Sequence, residues 1–190
     1  MTSSATSPQF AGSFTALITP FANGKINEAA FRKLVDFQIE SGTDGLVPVG
    51  TTGESPTLSH EEHDRVVELC IEQAAGRVPV IAGAGSNSTA EAVRLAKHGA
   101  DAGANGVLIV SPYYNKPTQE GLYRHFTAVA KAVDVPVIVY DIPGRSIVRV
   151  SDDNLLRMAK DHSNICGIKD ATSDVARPTK LQTLLGAGFT

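Results

Sequence analysis

The chain has 190 residues, 42% hydrophobic and 19% charged, enough apolar material for one sizeable core. Its 17 Lys and Arg stand against 20 Asp and Glu, a net charge of −3. These charges are scattered, which excludes the basic footprint of a nucleic-acid or anionic-membrane binder. No apolar run reaches the ~20 residues of a membrane span.

Residues 1–11 are rich in Ser and Thr, lack Arg and read as a loose N-terminal tail on a single domain over 1–190. Six short apolar runs then recur at a spacing of about 30 residues, the size of one βα unit. They are Phe14–Ile18, Gly45–Val49, Val78–Ala82, Gly106–Val110, Pro136–Tyr140 and Ile165–Lys169. The runs are continuously apolar, as strands buried on both faces must be.

Helical patterns fill the intervals. Ala30, Leu34, Val35 and Ile39 recur at helical spacing within Asn27–Ser41. Ser59 with Glu61 and Glu62 opens a second helix, and Ser88 with Glu91 reads as a capping box for a third. Pro117 starts a fourth, where a missing N–H is tolerated. Ser151 with Asp152 and Asp153 opens a fifth, and Ala176–Leu185 is a weaker sixth, interrupted early by Pro178. Gly42, Gly76, Gly103 and Gly186 stand near helix ends, where a left-handed residue is wanted.

Strict strand–helix alternation predicts an α/β fold on a parallel sheet. No dinucleotide fingerprint follows the first strand, and Gly83-Ala84-Gly85 lacks the third glycine. Polar residues follow nearly every strand: Thr19, Thr51, Asn87, Tyr114, Tyr140 and Lys169. Such convergence describes the C-terminal face of a TIM (β/α)8-type barrel, of which about six βα units are present. The two sheet edges of a six-stranded remnant are expected to lie unpaired. Cys70 and Cys166 lie in apolar contexts and read as buried free thiols, which with no signal peptide predicts a reducing cytoplasm.

Lys169 closes Ile165-Cys166-Gly167-Ile168-Lys169. A lysine leaving a core is expected to be half desolvated, which favours its neutral, nucleophilic form and suits Schiff-base formation with a carbonyl compound; the competing reading is a snorkelling side chain. Gly50-Thr51-Thr52-Gly53-Glu54-Ser55 offers close backbone amides and hydroxyls to a carboxylate, or is a capped tight turn. The adjacent Tyr113 and Tyr114 are interface residues, general acids or rim packing. Tyr140 projects toward Lys169 as a proton shuttle or is a buried phenol, and Arg145 clamps a substrate carboxylate or faces solvent.

Gly50–Ser55, Tyr113-Tyr114-Asn115, the loop from Tyr140 to Arg145 and Gly167-Ile168-Lys169-Asp170-Ala171 resemble the dihydrodipicolinate synthase (4-hydroxy-tetrahydrodipicolinate synthase) family of pyruvate-dependent class I aldolases. The match runs from about Gly12 to the C-terminus. The resemblance implies condensation of pyruvate with L-aspartate 4-semialdehyde in the diaminopimelate route to lysine. Lys169 would form the imine, Thr51 and Thr52 would bind the pyruvate carboxylate, and Tyr140, Thr51 and Tyr114 would relay protons. Tyr114 would come from a neighbouring copy in a homotetramer, a dimer of dimers, and Arg145 would engage the second substrate. No metal or organic cofactor is implied, because the imine itself is the electron sink. Ser55, Pro56, His60, His63, Asn87, Glu91 and Tyr113 resemble the family's lysine-feedback site, although Pro56 stands where some feedback-sensitive members have a small residue. Asp141 replaces an asparagine often found there.

The family's seventh and eighth strands are missing, so the chain reads as C-terminally truncated. Two alternatives remain: an N-acetylneuraminate lyase or keto-deoxy sugar acid aldolase of the same superfamily, and an inactive remnant with a binding role.

Overall fold

A computed structural model describes residues 10–190. In chain order the strands are β1 (Phe14–Ala16), β2 (Phe21–Ala22), β3 (Lys25–Ile26), β4 (Gly45–Val47), β5 (Ile81–Gly83), β6 (Gly106–Val110), β7 (Val137–Asp141) and β8 (Ile165–Asp170). The helices are α1 (Glu28–Glu40), α2 (His60–Ala74), α3 (Thr89–Asp101), α4 (Gln119–Ala130), a single turn α5 (Pro143–Ser146), α6 (Asp152–Asp161) and α7 (Arg177–Leu185). No helix among the described residues is long and apolar enough to cross a membrane.

Six strands run parallel in the order β1-β4-β5-β6-β7-β8, with β4 and β5 joined through a bridge between Leu46 and Val80. They form an α/β arc with a partial set of βα units and no closed barrel. One outer edge is not bare: Ile168 N donates to Thr190 O at 2.8 Å and Thr190 N to Cys166 O at 2.9 Å, continuing the parallel ladder beside β8.

Alternation along the strands sorts side chains into two layers. Val107, Ile109, Val137, Val139 and Ile165 face the helices and pack with Leu122, Phe126 and Leu155. Val47, Ile81, Leu108, Ile138 and Tyr140 face the concave side, where Phe10 joins them. Phe10 is buried, edge-on to Phe14, so packed structure begins before Gly12. The rest of the expected tail, residues 1–9, lies outside the described residues.

Several helix starts follow the predicted chemistry. Ser59 and Glu62 form a reciprocal capping box, with bonds of 2.9 and 3.2 Å. Replacing Ser59 by alanine is expected to cost about 1 kcal/mol, a fall of about 3 °C in thermal midpoint, read by circular dichroism. Three expectations are corrected. Pro117 does not start α4 but precedes its cap: Thr118 caps the helix, its hydroxyl accepting from Gly121 N at 3.2 Å, and Gln119 is the first helical residue. Ser88 accepts from Glu91 N, but the Glu91 carboxylate turns away to Ser86 and His60, and Ser86 Oγ takes the Ser88 N–H instead. Pro178 does not interrupt α7 but lies in its first turn. Gly42, Gly76, Gly103 and Gly186 all have φ between 73° and 99°. Cys70 is a buried free thiol, its pKa pushed up to about 12 by burial, while Cys166 is free and only half-buried.

Candidate active site

Among the described residues, six of the eight non-glycine residues at positive φ lie in loops after β4, β6, β7 and β8: Val49, Glu54, Tyr114, Lys116, Ile147 and Ser173. Strain of this kind, here including two β-branched residues, costs about 1–3 kcal/mol per residue and gathers at functional sites. It marks the C-terminal end of the sheet without reference to any motif.

A cavity of about 280 Å³ opens there, lined by Thr51, Ser55, Pro56, Tyr113, Tyr140 and Arg145 among others. Its floor needs glycine, since a Cβ on Gly83 would overlap Val49 O. Tyr140 is 6% exposed and pairs in register with Lys169 on β8. The Lys169 ammonium lies 4.3 Å from the centre of the Tyr140 ring, a cation–π contact.

That contact depends on a register shift. Val137 pairs with Ile165, but the next pair is Ile138 with Gly167, so Cys166 is the extra residue of a bulge. Without it, Tyr140 would face Ile168, and Lys169 would fall beside Asp141 on the helix side. The bulge therefore aims Lys169 at the concave face. Gly167 permits it, because a Cβ there would come within 2.8 Å of both Ile138 Cδ1 and Thr190 O.

The expectation of a half-desolvated lysine is corrected. Lys169 is exposed and lines an adjoining cavity of about 230 Å³ with Phe10, Phe14, Ile138 and Thr190, where the arc stands open between β8 and β1. Arg145 is exposed on the rim and forms no ion pair among the described residues. Its turn is fixed by Ser146, whose hydroxyl lies 3.0 Å from Ile142 O and 2.9 Å from Val148 O.

Thr51, Tyr140 and Arg145 thus meet at one cavity with Lys169 against the tyrosine ring. Thr52 is exposed and does not line it. Tyr114 is also outside, 85% exposed at φ 71°, while Tyr113 takes the place on the wall.

The set compared with a feedback site is divided. Ser55, Pro56 and Tyr113 line the cavity, whereas His60 Nε2 pairs with Glu91 at 2.5 Å, and Asn87 O accepts from Asn115 Nδ2 at 2.8 Å. The bond from Ser86 and then that to His60 hold the Glu91 carboxyl below its ordinary range. His63 is buried beside Asp64, with neither ring nitrogen hydrogen-bonded among the described residues.

Burial lowers the pKa of both His63 and His125 to about 4, with Asp64 opposing the shift at His63. Unfolded histidine binds its proton near pH 6.5. Between pH 6.5 and 4 the unfolded chain therefore holds more protons, and stability is lost as pH falls. The expected loss at pH 5 is about 2 kcal/mol for each ring. Urea midpoints at pH 7 and 5 measure it, and His125→Asn should remove about half of the difference.

The parallel β/α arc, with its cavity at the C-terminal strand ends, is an incomplete barrel of the TIM class. The family model described as "Dihydrodipicolinate synthetase family" matches residues 9–190. The chain belongs to the dihydrodipicolinate synthase family. It is 60% identical over 185 residues to the 4-hydroxy-tetrahydrodipicolinate synthase of Rhodopseudomonas palustris (strain BisA53), covering 97% of this chain and 62% of that protein. The solved 4-hydroxy-tetrahydrodipicolinate synthase of Methylacidiphilum fumariolicum SolV superposes with a TM-score of 0.94 at 48% identity, over 96% of this chain and 61% of that one. The chloride-inhibited enzyme of Acinetobacter baumannii, solved with pyruvate, gives 0.89 at 50% identity, over 93% and 60%. The chain thus spans about three-fifths of the length of these relatives.

Arg177 was missed in the sequence. It is 2% exposed, yet it lies between Ala176 and Pro178 with nothing local to signal burial.

Proposed function

We propose that this chain carries the residues with which a 4-hydroxy-tetrahydrodipicolinate synthase condenses pyruvate with L-aspartate 4-semialdehyde. The observation that carries the reading is the Lys169 amine held 4.3 Å from the Tyr140 ring, beside a cavity shared by Thr51 and Arg145.

The Lys169 amine attacks the pyruvate keto carbon, and the carbinolamine loses water to give an iminium. The iminium stabilises the carbanion formed when a methyl proton leaves. The resulting enamine attacks the aldehyde carbon of the second substrate. The amine of that substrate then displaces Lys169 as the ring closes. Thr51, which lines the cavity on the turn after β4, receives the pyruvate carboxylate, and Tyr140 and Thr51 carry protons between cavity and solvent. Arg145, which forms no ion pair among the described residues, presents its guanidinium to the second carboxylate. Tyr114 completes the relay from a neighbouring copy, a role supported by its 85% exposure and its position outside this chain's own cavity. A homotetramer built as a dimer of dimers supplies that neighbour.

Incubation with pyruvate and borohydride should add one reduced pyruvyl group, mapped to Lys169. Turnover of aspartate semialdehyde against keto-deoxy sugar acids then tests the substrate class. Absence of the adduct on the folded chain would overturn the reading.

A further inference from the structure

The side chain of Arg177 is the largest of those fully buried, and each of its nitrogens has an acceptor. Nε donates to Asp152 Oδ1 at 2.9 Å, and Nη2 to Val150 O at 2.6 Å. Nη1 donates to Asp141 Oδ2 at 2.7 Å and to Asp170 Oδ2 at 3.3 Å. Asp141 directly follows Tyr140, and Asp170 directly follows Lys169. The two carboxylates are register partners on the helix side of the sheet, one residue beyond the facing Tyr140 and Lys169.

One guanidinium therefore grips both strand ends at the first position past the site. Side chains alternate between faces. A one-residue slip of β8 would turn Lys169 away from Tyr140 and take Asp170 away from Arg177. Loss of the bulge at Cys166 would give β8 the even register, and two adjacent carboxylates without a cation would repel each other toward it. Asp170 also accepts from Thr172 N at 2.8 Å and Thr172 Oγ1 at 2.6 Å, so the loop after Lys169 hangs from the same group.

We propose that Arg177 is a positioning residue that locks the β7–β8 register and thereby holds the Lys169 amine against Tyr140. The inference rests on the Schiff-base reading for its catalytic consequence, but its structural consequence can be read without it.

The test compares the intact chain with Arg177→Lys, which keeps the charge and loses the fork, and with Asp170→Asn, which weakens only the anchor on β8. Two readouts are taken on each: the rate of borohydride-trapped pyruvate adduct at Lys169, and acetylation of Lys169 by acetic anhydride relative to Lys97 and Lys131. In Arg177→Lys the trapping rate should fall about 10–100-fold, the cost of misplacing a reacting group by about 1 Å. Half-saturation by pyruvate should stay within about twofold, because the Thr51–Thr52 turn is on another strand. Acetylation of Lys169 should rise at least about threefold, the gain of an amine released from its ring. Asp170→Asn should move both readouts the same way by smaller factors, and it decides the matter if Arg177→Lys does not fold. A lowered melting temperature with trapping and acetylation unchanged in the folded variants would reduce Arg177 to a structural role and overturn the proposal. If the unsubstituted chain forms no pyruvate adduct, the Schiff-base reading fails, and acetylation alone then supports or overturns the register lock.

Discussion

Replacing Lys169 by alanine is expected to abolish the borohydride-trapped pyruvate adduct and to lower turnover by at least ~10³-fold, with the fold intact. The side chain is exposed and its ammonium makes no ion pair among the described residues. Its removal therefore costs the fold little, and circular dichroism should show an unchanged cooperative melt. Tyr140→Phe makes the complementary cut. It keeps the aromatic face under the ammonium and deletes only the phenol. The adduct should still form, while turnover falls by about 10²–10⁴-fold, the usual weight of a general acid–base. If Tyr140→Phe instead blocks the adduct as completely as Lys169→Ala, proton transfer by the phenol belongs to imine formation. If neither change affects trapping, another amine is the nucleophile.

How much of this was legible in the chain depends on the range of the forces involved. Local chemistry was readable. Gly106–Val110 is a strand with the predicted bounds, and the reciprocal cap of α2 follows from the Ser59–Glu62 spacing. The hairpin Phe21–Ala22 with Lys25–Ile26 is an element outside the βα repeat, signalled locally by Asn23-Gly24, both at positive φ. The strand in the run Val78–Ala82 begins later than its apolar residues suggest. Pro79 has no N–H for a ladder, and the Val80 N–H goes to Asn105 Oδ1, so the strand is Ile81–Gly83.

The site was half readable. Thr51, Tyr140, Arg145 and Lys169 follow strands in the alternation pattern, so their common end of the sheet could be inferred. Their orientation was not legible. A lysine four residues past Ile165 faces the same way as Ile165 in an even strand, which would direct it at the helices. Only the bulge reverses that, and a bulge is decided by neighbours such as Ile138 and Thr190. The exposure of Lys169 likewise depends on the wall beside it, not on its own run. Arg177 was hidden because its three carboxylate partners come from β7, the start of α6 and β8.

The same cluster carries the largest expected effect on stability. Asp141→Ala should destabilise the fold by about 3 kcal/mol, toward the lower end of the cost of breaking a buried ion pair, because Asp152 and Asp170 still face Arg177. Two losses combine in that figure. Arg177 Nη1 loses its 2.7 Å acceptor, and Val150 N loses two oxygens, each at 3.2 Å. Asp141→Asn retains an acceptor for each of those donors and should cost about half as much. Burial pushes the Asp141 carboxyl above its ordinary pKa even against the Arg177 guanidinium. The folded chain thus prefers a proton there more than the unfolded chain does. The stability tied to this group is present below the unfolded carboxylate value and declines as pH rises through the folded one. Asp141→Asn should remove that decline while leaving the opposite histidine-driven loss below pH 6.5. Urea denaturation across pH 4–8 separates the two, since one falls with rising pH and the other with falling pH. Equal destabilisation by alanine and asparagine would show that the negative charge, rather than the hydrogen bonds, carries the interaction.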